Sequence, residues 1–296
     1  MGEGHSKSRA SKPPPLLSKL WREINWRDNR SILQFVKNYK PHVEGQQIRI
    51  LLYGPAGAGK SSFINSVQSV LRGTMYTQAL ADNIGYDSFT KKYTTYKIPT
   101  EDPQSFYPFV FNDIMGLEPI KGVHVDDIKL ALKGRVMDGY RFNPESKLSE
   151  DDQFYNNSPD DNDKVHVLVC VVPASTVSQM SDEMAKKIRD IRMEASALDI
   201  PQVAIVTKID EVCPEIMDDL KNVYKVEYMK EKMQQFSAGV GIPMTSIFPV
   251  KNYHEEIDLN SDMDSLILSA MKHIITAGED HVNFKKTQSG CSGTWA

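Results

Sequence analysis

The amino-acid sequence predicts an α/β fold, in which a mostly parallel six-stranded sheet carries helices on both faces. First, apolar runs of strand length alternate with helical patterns along most of the 296 residues. Second, a glycine-rich loop follows the first apolar run and leads directly into a helical pattern. Third, short polar motifs end two later apolar runs, as expected where parallel strands finish at one edge of a sheet. The content of apolar residues, 40%, and of charged residues, 25%, is that of an ordinary globular domain.

Charge and cysteine content argue against several classes of protein. The net charge of −4 gives no indication of nucleic-acid binding, and we expect no nucleic-acid partner. Cys170, Cys213 and Cys291 share no short spacing, so neither a disulfide framework nor a cysteine metal site is indicated. No apolar stretch reaches the length of a membrane span, and the amino terminus lacks the apolar core of a secretory signal. We therefore expect a cytoplasmic protein.

The amino-terminal part of the chain predicts a leader and an arm. Residues 1–20 contain three successive prolines and predict a disordered leader. Its first residues fit a loose N-myristoylation pattern, but Glu3 places a charge beside Gly2, so we expect no stable membrane anchor. Residues 21–46 predict a helical arm, because Trp21 and Trp26 precede an amphipathic helix for which Asp28 is the expected N-cap.

The main domain is predicted over residues 47–277 by alternating strand and helix patterns. One helix is expected directly after the glycine-rich loop, another from Asp126, and a last one with its apolar face around Ile267. Residues 144–163 lack apolar periodicity and predict a long acidic loop, and residues 278–296 predict a flexible tail. The strands are expected at 47–53, about 91–98, 107–112, 165–172, 202–207 and 246–250.

The glycine-rich loop at 54–61 reads G-x-x-x-x-G-K-S, the pattern of a phosphate-binding loop. In such a loop, backbone N–H groups and the start of the following helix face the phosphates. Lys60 would reach the outer phosphates, and Ser61 would bind Mg²⁺. The predicted phosphate-binding residues are Gly54, Ala56, Gly57, Ala58, Gly59, Lys60, Ser61 and Ser62.

A second motif predicts which base is bound. The apolar run 202–207 ends in Thr207-Lys208-x-Asp210, about 150 residues after the phosphate-binding loop. The Asp210 carboxylate can accept both N1–H and N2–H of guanine, whereas adenine offers neither donor, which favours guanine by a few kcal/mol. Lys208 would lie along the base plane. An ATP-using P-loop enzyme would need a different reader at this strand end.

A third motif, Asp113-x-x-Gly116, directly follows the predicted strand 107–112. Asp113 is expected to hold a Mg²⁺-bound water, and the Gly116 N–H to contact the terminal phosphate. Spacing places Thr90 before the neighbouring strand as a further ligand for Mg²⁺ and phosphate, with Thr74, Thr77, Thr94 and Thr95 as open alternatives. The metal-ligand candidates are thus Ser61, Thr90 and Asp113, and the candidates for a catalytic role are Lys60, Thr90 and Gly116.

Two further positions bear on base binding and turnover. The segment Val250-Lys251-Asn252 follows the sixth predicted strand and is assigned by position to close over the base. Leu117 occupies the place where Ras-like enzymes carry the glutamine that orients the attacking water. Taken together, the motifs predict a P-loop NTPase of the G-domain type with GTP or GDP and Mg²⁺ as cofactors. Turnover is expected to be slow.

Over about residues 20–277 the sequence resembles the GTPase-like domain of the interferon-induced protein 44 and 44-like family. The similarity is carried by stretches at 21–26, 51–67, 113–118, 128–134, 139–144 and 207–210. It implies a cytoplasmic guanine-nucleotide-binding protein of the interferon-induced antiviral response, as a short form without the additional TLDc domain. A slow GTPase or GTP/GDP switch with a protein partner or homodimer is the first expectation. A non-hydrolysing nucleotide-binding scaffold is the alternative.

Overall fold

The computed structural model describes residues 16–77, 79, 91–102, 104–119 and 122–291. The strands are β1 Ile48–Tyr53, β2 Thr94–Pro99, β3 Phe106–Asp113, β4 Val167–Pro173, β5 Gln202–Thr207 and β6 Ile247–Pro249. They form one sheet in the order β2-β3-β1-β4-β5-β6, in which β2 is antiparallel to β3 and every other neighbouring pair is parallel. This confirms the predicted six-stranded, mostly parallel sheet.

Helices cover both faces of the sheet, as predicted. The helices are α1 Asn29–Lys37, α2 Lys60–Arg72, α3 Val125–Leu132, α4 Asp182–Ala197, α5 Pro214–Asp218, α6 Glu227–Val240 and α7 Ser261–Cys291. Along β1 the side chains alternate: Leu51 and Tyr53 enter the core beneath α3, α4 and α6, whereas Ile50 and Leu52 enter the core beneath α1, α2 and α7. Such alternation is the period-two pattern of a strand that is buried on both faces.

The last helix differs from the prediction of a flexible tail from 278, because α7 continues to Cys291. Gly278 lies against β1, where a Cβ would come within 2.5 Å of the Ile48 side chain, so the glycine allows close packing rather than ending the helix. Glu279 accepts hydrogen bonds from the Tyr39 hydroxyl and from the backbone N–H of His42. These contacts anchor the part of α7 that its polar sequence did not predict to be helical.

The arm of residues 21–46 lies on the domain. Asp28 precedes α1, although its side chain makes no capping hydrogen bond. The Trp21 ring packs edge-on against Tyr224 with centroids 5.0 Å apart, and α1 runs along α7.

Residues 144–163 contain no helix or strand, but Tyr155 is buried and the Leu148 N–H donates to the Asp127 carboxylate at 2.9 Å. Of the predicted leader 1–20, residues 16–20 are described, and the Leu17 N–H donates to the Lys225 carbonyl at 2.8 Å. Residues 1–15, with Gly2, and residues 292–296 lie outside the described chain. Within the described ranges, each helix is too short or too polar to cross a bilayer.

Candidate functional site

The phosphate-binding loop joins β1 to α2 in a conformation that requires glycine at two positions. Gly54 has φ +144°, and a Cβ there would lie 2.0 Å from the Val171 carbonyl oxygen of the neighbouring strand β4. Gly59 has φ +89° and directly precedes Lys60, the first residue of α2. The first turn of α2 therefore begins where the loop ends, and its N–H groups point towards the loop side, which is the arrangement typical of phosphate sites.

Lys60 and Ser61 place a cation and a hydroxyl beside this loop. Lys60 is 6% exposed, and its Nζ donates to the carbonyl oxygens of Pro55 at 3.1 Å and of Gly54 at 3.4 Å. The Ser61 hydroxyl donates to the carboxylate of Asp113, which is fully buried at the end of β3. One hydroxyl and one carboxylate are oxygen ligands of the kind that Mg²⁺ prefers. Within the described residues no group of three or more His, Cys, Asp or Glu side chains is arranged to hold a metal.

The segment after Asp113 lies directly on the phosphate-binding loop. The Leu117 N–H donates to the Gly54 carbonyl at 2.9 Å, and the Ala56 N–H donates to the Leu117 carbonyl at 3.3 Å. Gly116 is so close to the loop that a Cβ would lie 2.5 Å from the Cα of Ala56. The Leu117 side chain is 1% exposed and belongs to the core beneath α3 and α4. Its side chain therefore serves packing, in agreement with a position that does not orient water.

The predicted base reader meets the phosphate-binding loop at the carboxyl end of β5. The Thr207 hydroxyl donates to the Ala58 carbonyl at 2.7 Å. Lys208 has φ +55° and turns the chain into a short 3₁₀ helix, Ile209–Glu211, that contains Asp210. A single hydroxyl thus ties the predicted base reader to the predicted phosphate site.

Lys251 contacts the predicted guanine-reading carboxylate. Its Nζ lies 3.4 Å from the Asp210 carboxylate and 3.1 Å from that of Glu256. Burial lowers the pKa of Lys251, but Glu256 and Asp210 outweigh this effect and raise the pKa above its ordinary value. The cationic Lys251 therefore fixes the Asp210 side chain between β5 and the loop after β6.

The sequence placed Asn252 in the segment predicted to close over the base, but its contact with the phosphate-binding loop was not predicted. The side-chain amide donates to the Gly59 carbonyl at 3.0 Å and so joins the loop after β6 to the phosphate-binding loop. The only available signal was its position next to Lys251, because a lone asparagine after a strand has no diagnostic pattern.

Thr90 lies outside the described residues. The other predicted site residues lie together at the carboxyl ends of β1, β3, β5 and β6, the edge where open α/β sheets bind ligands.

Comparison with known proteins finds similar relatives but no matching family model. Interferon-induced protein 44 of Mus musculus is 35% identical over 251 residues, which are 84% of this chain and 59% of the relative. Interferon-induced protein 44-like of Homo sapiens is 31% identical over 270 residues, or 89% of this chain and 59% of the relative. The chain thus spans less than two thirds of the length of the relatives it matches.

Solved structures with a similar fold are distant. A dimerization-deficient mutant of Toc33 from Arabidopsis thaliana has a TM-score of 0.47 and 12% identity, with 85% of this chain and 92% of the other covered. Toc33 in complex with GDP and Mg²⁺ has a TM-score of 0.44 and 14% identity, with 79% and 84% covered. At these TM-scores the similarity adds nothing to the strand order and loops of the chain itself.

Proposed function

Over the matched residues this chain belongs to the interferon-induced protein 44 family, and we propose that this shared region binds guanine nucleotide as a slow GTPase or GTP/GDP switch. The observation that carries the proposal is the hydrogen bond from the Thr207 hydroxyl to the Ala58 carbonyl, at 2.7 Å. It places a T-K-x-D motif beside a phosphate-binding loop, so that one ligand can contact both. A nucleotide, with its base and phosphates, is that kind of ligand.

Base selection would depend on Asp210. A carboxylate can accept the N1–H and N2–H of guanine together, and adenine would leave it desolvated without a donor. The ion pair with Lys251, at 3.4 Å, holds the carboxylate in place before the base arrives. The stem of Lys208 would cover the base plane. Preorganised contacts of this kind support discrimination by a few kcal/mol.

The residues around the phosphate-binding loop fit a Mg²⁺-bound triphosphate. Ser61 and Asp113 would hold the ion, while Lys60 and the N–H groups at the start of α2 would bind the phosphates. When bound, Mg²⁺ would neutralise charge on the outer phosphate oxygens. The Gly116 N–H would contact the terminal phosphate. The assignment of Thr90 as a further ligand for Mg²⁺ and phosphate stays a prediction from the sequence.

The environment of Leu117 favours slow hydrolysis and supports a second candidate function. Because this side chain is buried in the core, it cannot align an attacking water. The chain is then either a GTPase that a protein partner or a second copy activates, or a nucleotide-binding scaffold that does not hydrolyse. We also propose a role in the interferon-induced antiviral response, in the cytoplasm, and its only support is the family.

Calorimetric titration with GTP, GDP and ATP in the presence of Mg²⁺ tests the proposal, followed by phosphate release on the same sample. We expect selective binding of guanine nucleotides that is lost in Lys60→Ala and kept in Lys186→Ala, an exposed lysine on α4. Asp210→Asn should weaken GTP binding by about 100-fold and admit xanthosine triphosphate, since the amide can donate to the position-2 oxygen. Equal binding of ATP and GTP would overturn the assignment of the base reader. Binding without release would favour the scaffold.

A further inference from the structure

A cavity of about 630 Å³ lies at the edge of the sheet opposite to the phosphate-binding loop. Three of its lining residues stand just before parallel strands: Gln46 before β1, His166 before β4 and Ile200 before β5. The carboxyl-terminal parts of α3 and α7 complete its walls. None of the predicted nucleotide-binding residues lines it, so it is a separate site. Its volume is within the range of about 300–1,000 Å³ that is usual for small-molecule sites.

The floor of the cavity is apolar. The buried side chains of Leu132, Val165, Ile200 and Val282 line it together with the partly buried Leu198. They come from α3, from the segments before β4 and β5, and from α7. A ligand with a hydrocarbon or aromatic body would gain free energy by covering this surface.

The rim of the cavity carries an excess of positive charge. Asp161 is the one acidic residue among the described lining residues, against five cationic side chains. Three of the lysines contact carboxylates, in the pairs Lys133–Glu194, Lys164–Asp161 and Lys285–Asp199. The Arg135 guanidinium donates to the carbonyl oxygens of Asn156 and Asn157. Since the whole chain has a net charge of −4, this excess is local. The cationic lining residues are Lys133, Arg135, Lys164, Lys285 and Lys286.

Two buried imidazoles add polar groups to the cavity wall. His166 and His281 are 4% and 9% exposed, and their ring centroids are 6.2 Å apart. Within the described part of the chain, the Nδ1 atom of His281 is buried without a hydrogen-bond partner. Burial and the nearby Lys285 lower the pKa of His281, whereas a hydrogen bond with the Asp199 backbone raises it. The two rings therefore mark the wall of the cavity, and their NMR signals can report whether it is occupied.

We propose that this cavity binds a small amphiphilic anion, with its apolar body on the floor and one carboxylate or phosphate group at the cationic rim. The apolar floor favours a ligand with an apolar body. The excess of positive charge around Arg135 and Lys286 favours a negatively charged group on that ligand. His281 in the cavity wall reports whether the cavity is occupied. The proposal does not depend on nucleotide binding, because the two sites lie at opposite edges of the sheet.

Four probes separate the parts of this proposal: decanoate, decyl phosphate, decanol and inorganic phosphate. Calorimetric titration of the full chain, below the concentrations at which the probes form micelles, should show saturable one-to-one binding of decanoate and decyl phosphate. Decanol should bind at least about five-fold more weakly, since it lacks the charge. Inorganic phosphate should bind more weakly still, since it lacks the apolar body. Equal affinity for decanol, equal affinity for inorganic phosphate, or no binding of the two amphiphilic anions would each overturn the proposal.

Variants locate the binding. Lys286→Gln and Arg135→Gln should each weaken anion binding by roughly two- to five-fold, with Lys186→Gln on α4 as the exposed control that leaves it unchanged. Leu198→Trp should abolish binding, because an indole would occupy the floor. On saturation with decanoate, the NMR signals of the His281 ring should shift in the wild-type protein. Full binding by Leu198→Trp, or an unchanged His281 signal, would show that the anion binds elsewhere and refute the assignment.

Discussion

The contact between Gly116 and the phosphate-binding loop predicts that Gly116→Ala destabilises the protein. A Cβ on Gly116 would lie 2.5 Å from both the Cα and the N of Ala56. Ordinary van der Waals contact begins at 3.4 Å, so the two segments must separate by about 0.9 Å, the difference between 3.4 and 2.5 Å. Both contacted atoms of Ala56 belong to the backbone, so no flexible side chain can move aside to relieve the clash.

The separation acts on two hydrogen bonds. The Leu117 N–H donates to the Gly54 carbonyl at 2.9 Å, and the Ala56 N–H donates to the Leu117 carbonyl at 3.3 Å. A shift of about 0.9 Å would take both beyond hydrogen-bonding distance. At about 1 kcal/mol for each net hydrogen bond, with strain for any clash that remains, we expect a loss of about 2–3 kcal/mol of unfolding free energy.

Urea unfolding followed by circular dichroism measures this loss, and Gly239→Ala is the matched control. Gly239 lies near the end of α6, and a Cβ there would meet nothing within 4 Å. Alanine is the better helix former by about 1 kcal/mol, so the control should be as stable as the wild type or more stable. If Gly116→Ala unfolded at the same urea concentration as Gly239→Ala, the two segments would not be in the close contact from which the cost is calculated.

Three further predictions follow from other parts of the structure. Leu117→Gln should lower the unfolding free energy by about 2–4 kcal/mol without raising phosphate release, because the amide would enter an apolar core; faster release would contradict this. Burial, His281 and Arg49 lower the pKa of His166 to about 4, below the unfolded value of about 6.5. Stability should therefore fall as the pH drops from 6.5 towards 4, and urea midpoints across that range should fall less steeply in His166→Asn than in the exposed control His254→Asn. Ending the chain after Ala277 should cost several kcal/mol in the same assay, because Glu279 and the buried Val282 are lost; an unchanged midpoint would show that residues 278–291 are dispensable.

The strands and the site could be predicted because both depend on local patterns. Apart from the more polar β2, the strands are short apolar runs, and each predicted site motif stands at the end of one. The phosphate-binding loop is specified within eight residues, since Gly54 and Gly59 adopt backbone conformations that other residues rarely adopt. Once the strands are parallel, the fold itself brings Thr207 to Ala58. Sequence order and strand direction therefore suffice to assemble most of this site.

The rest of the molecule depends on contacts between distant residues. Residues 278–291 have a polar sequence, and their helix is held by Tyr39 and His42 of the arm, more than two hundred positions earlier. The same stretch provides His281 and Val282 to the cavity, whose other walls come from α3 and from the segments before three strands. No pattern of spacing connects these pieces, because helix periodicity reports only which face of one helix is apolar. A site built from one strand end and its loop can thus be predicted from the sequence, whereas a cavity shared among several elements requires their packing.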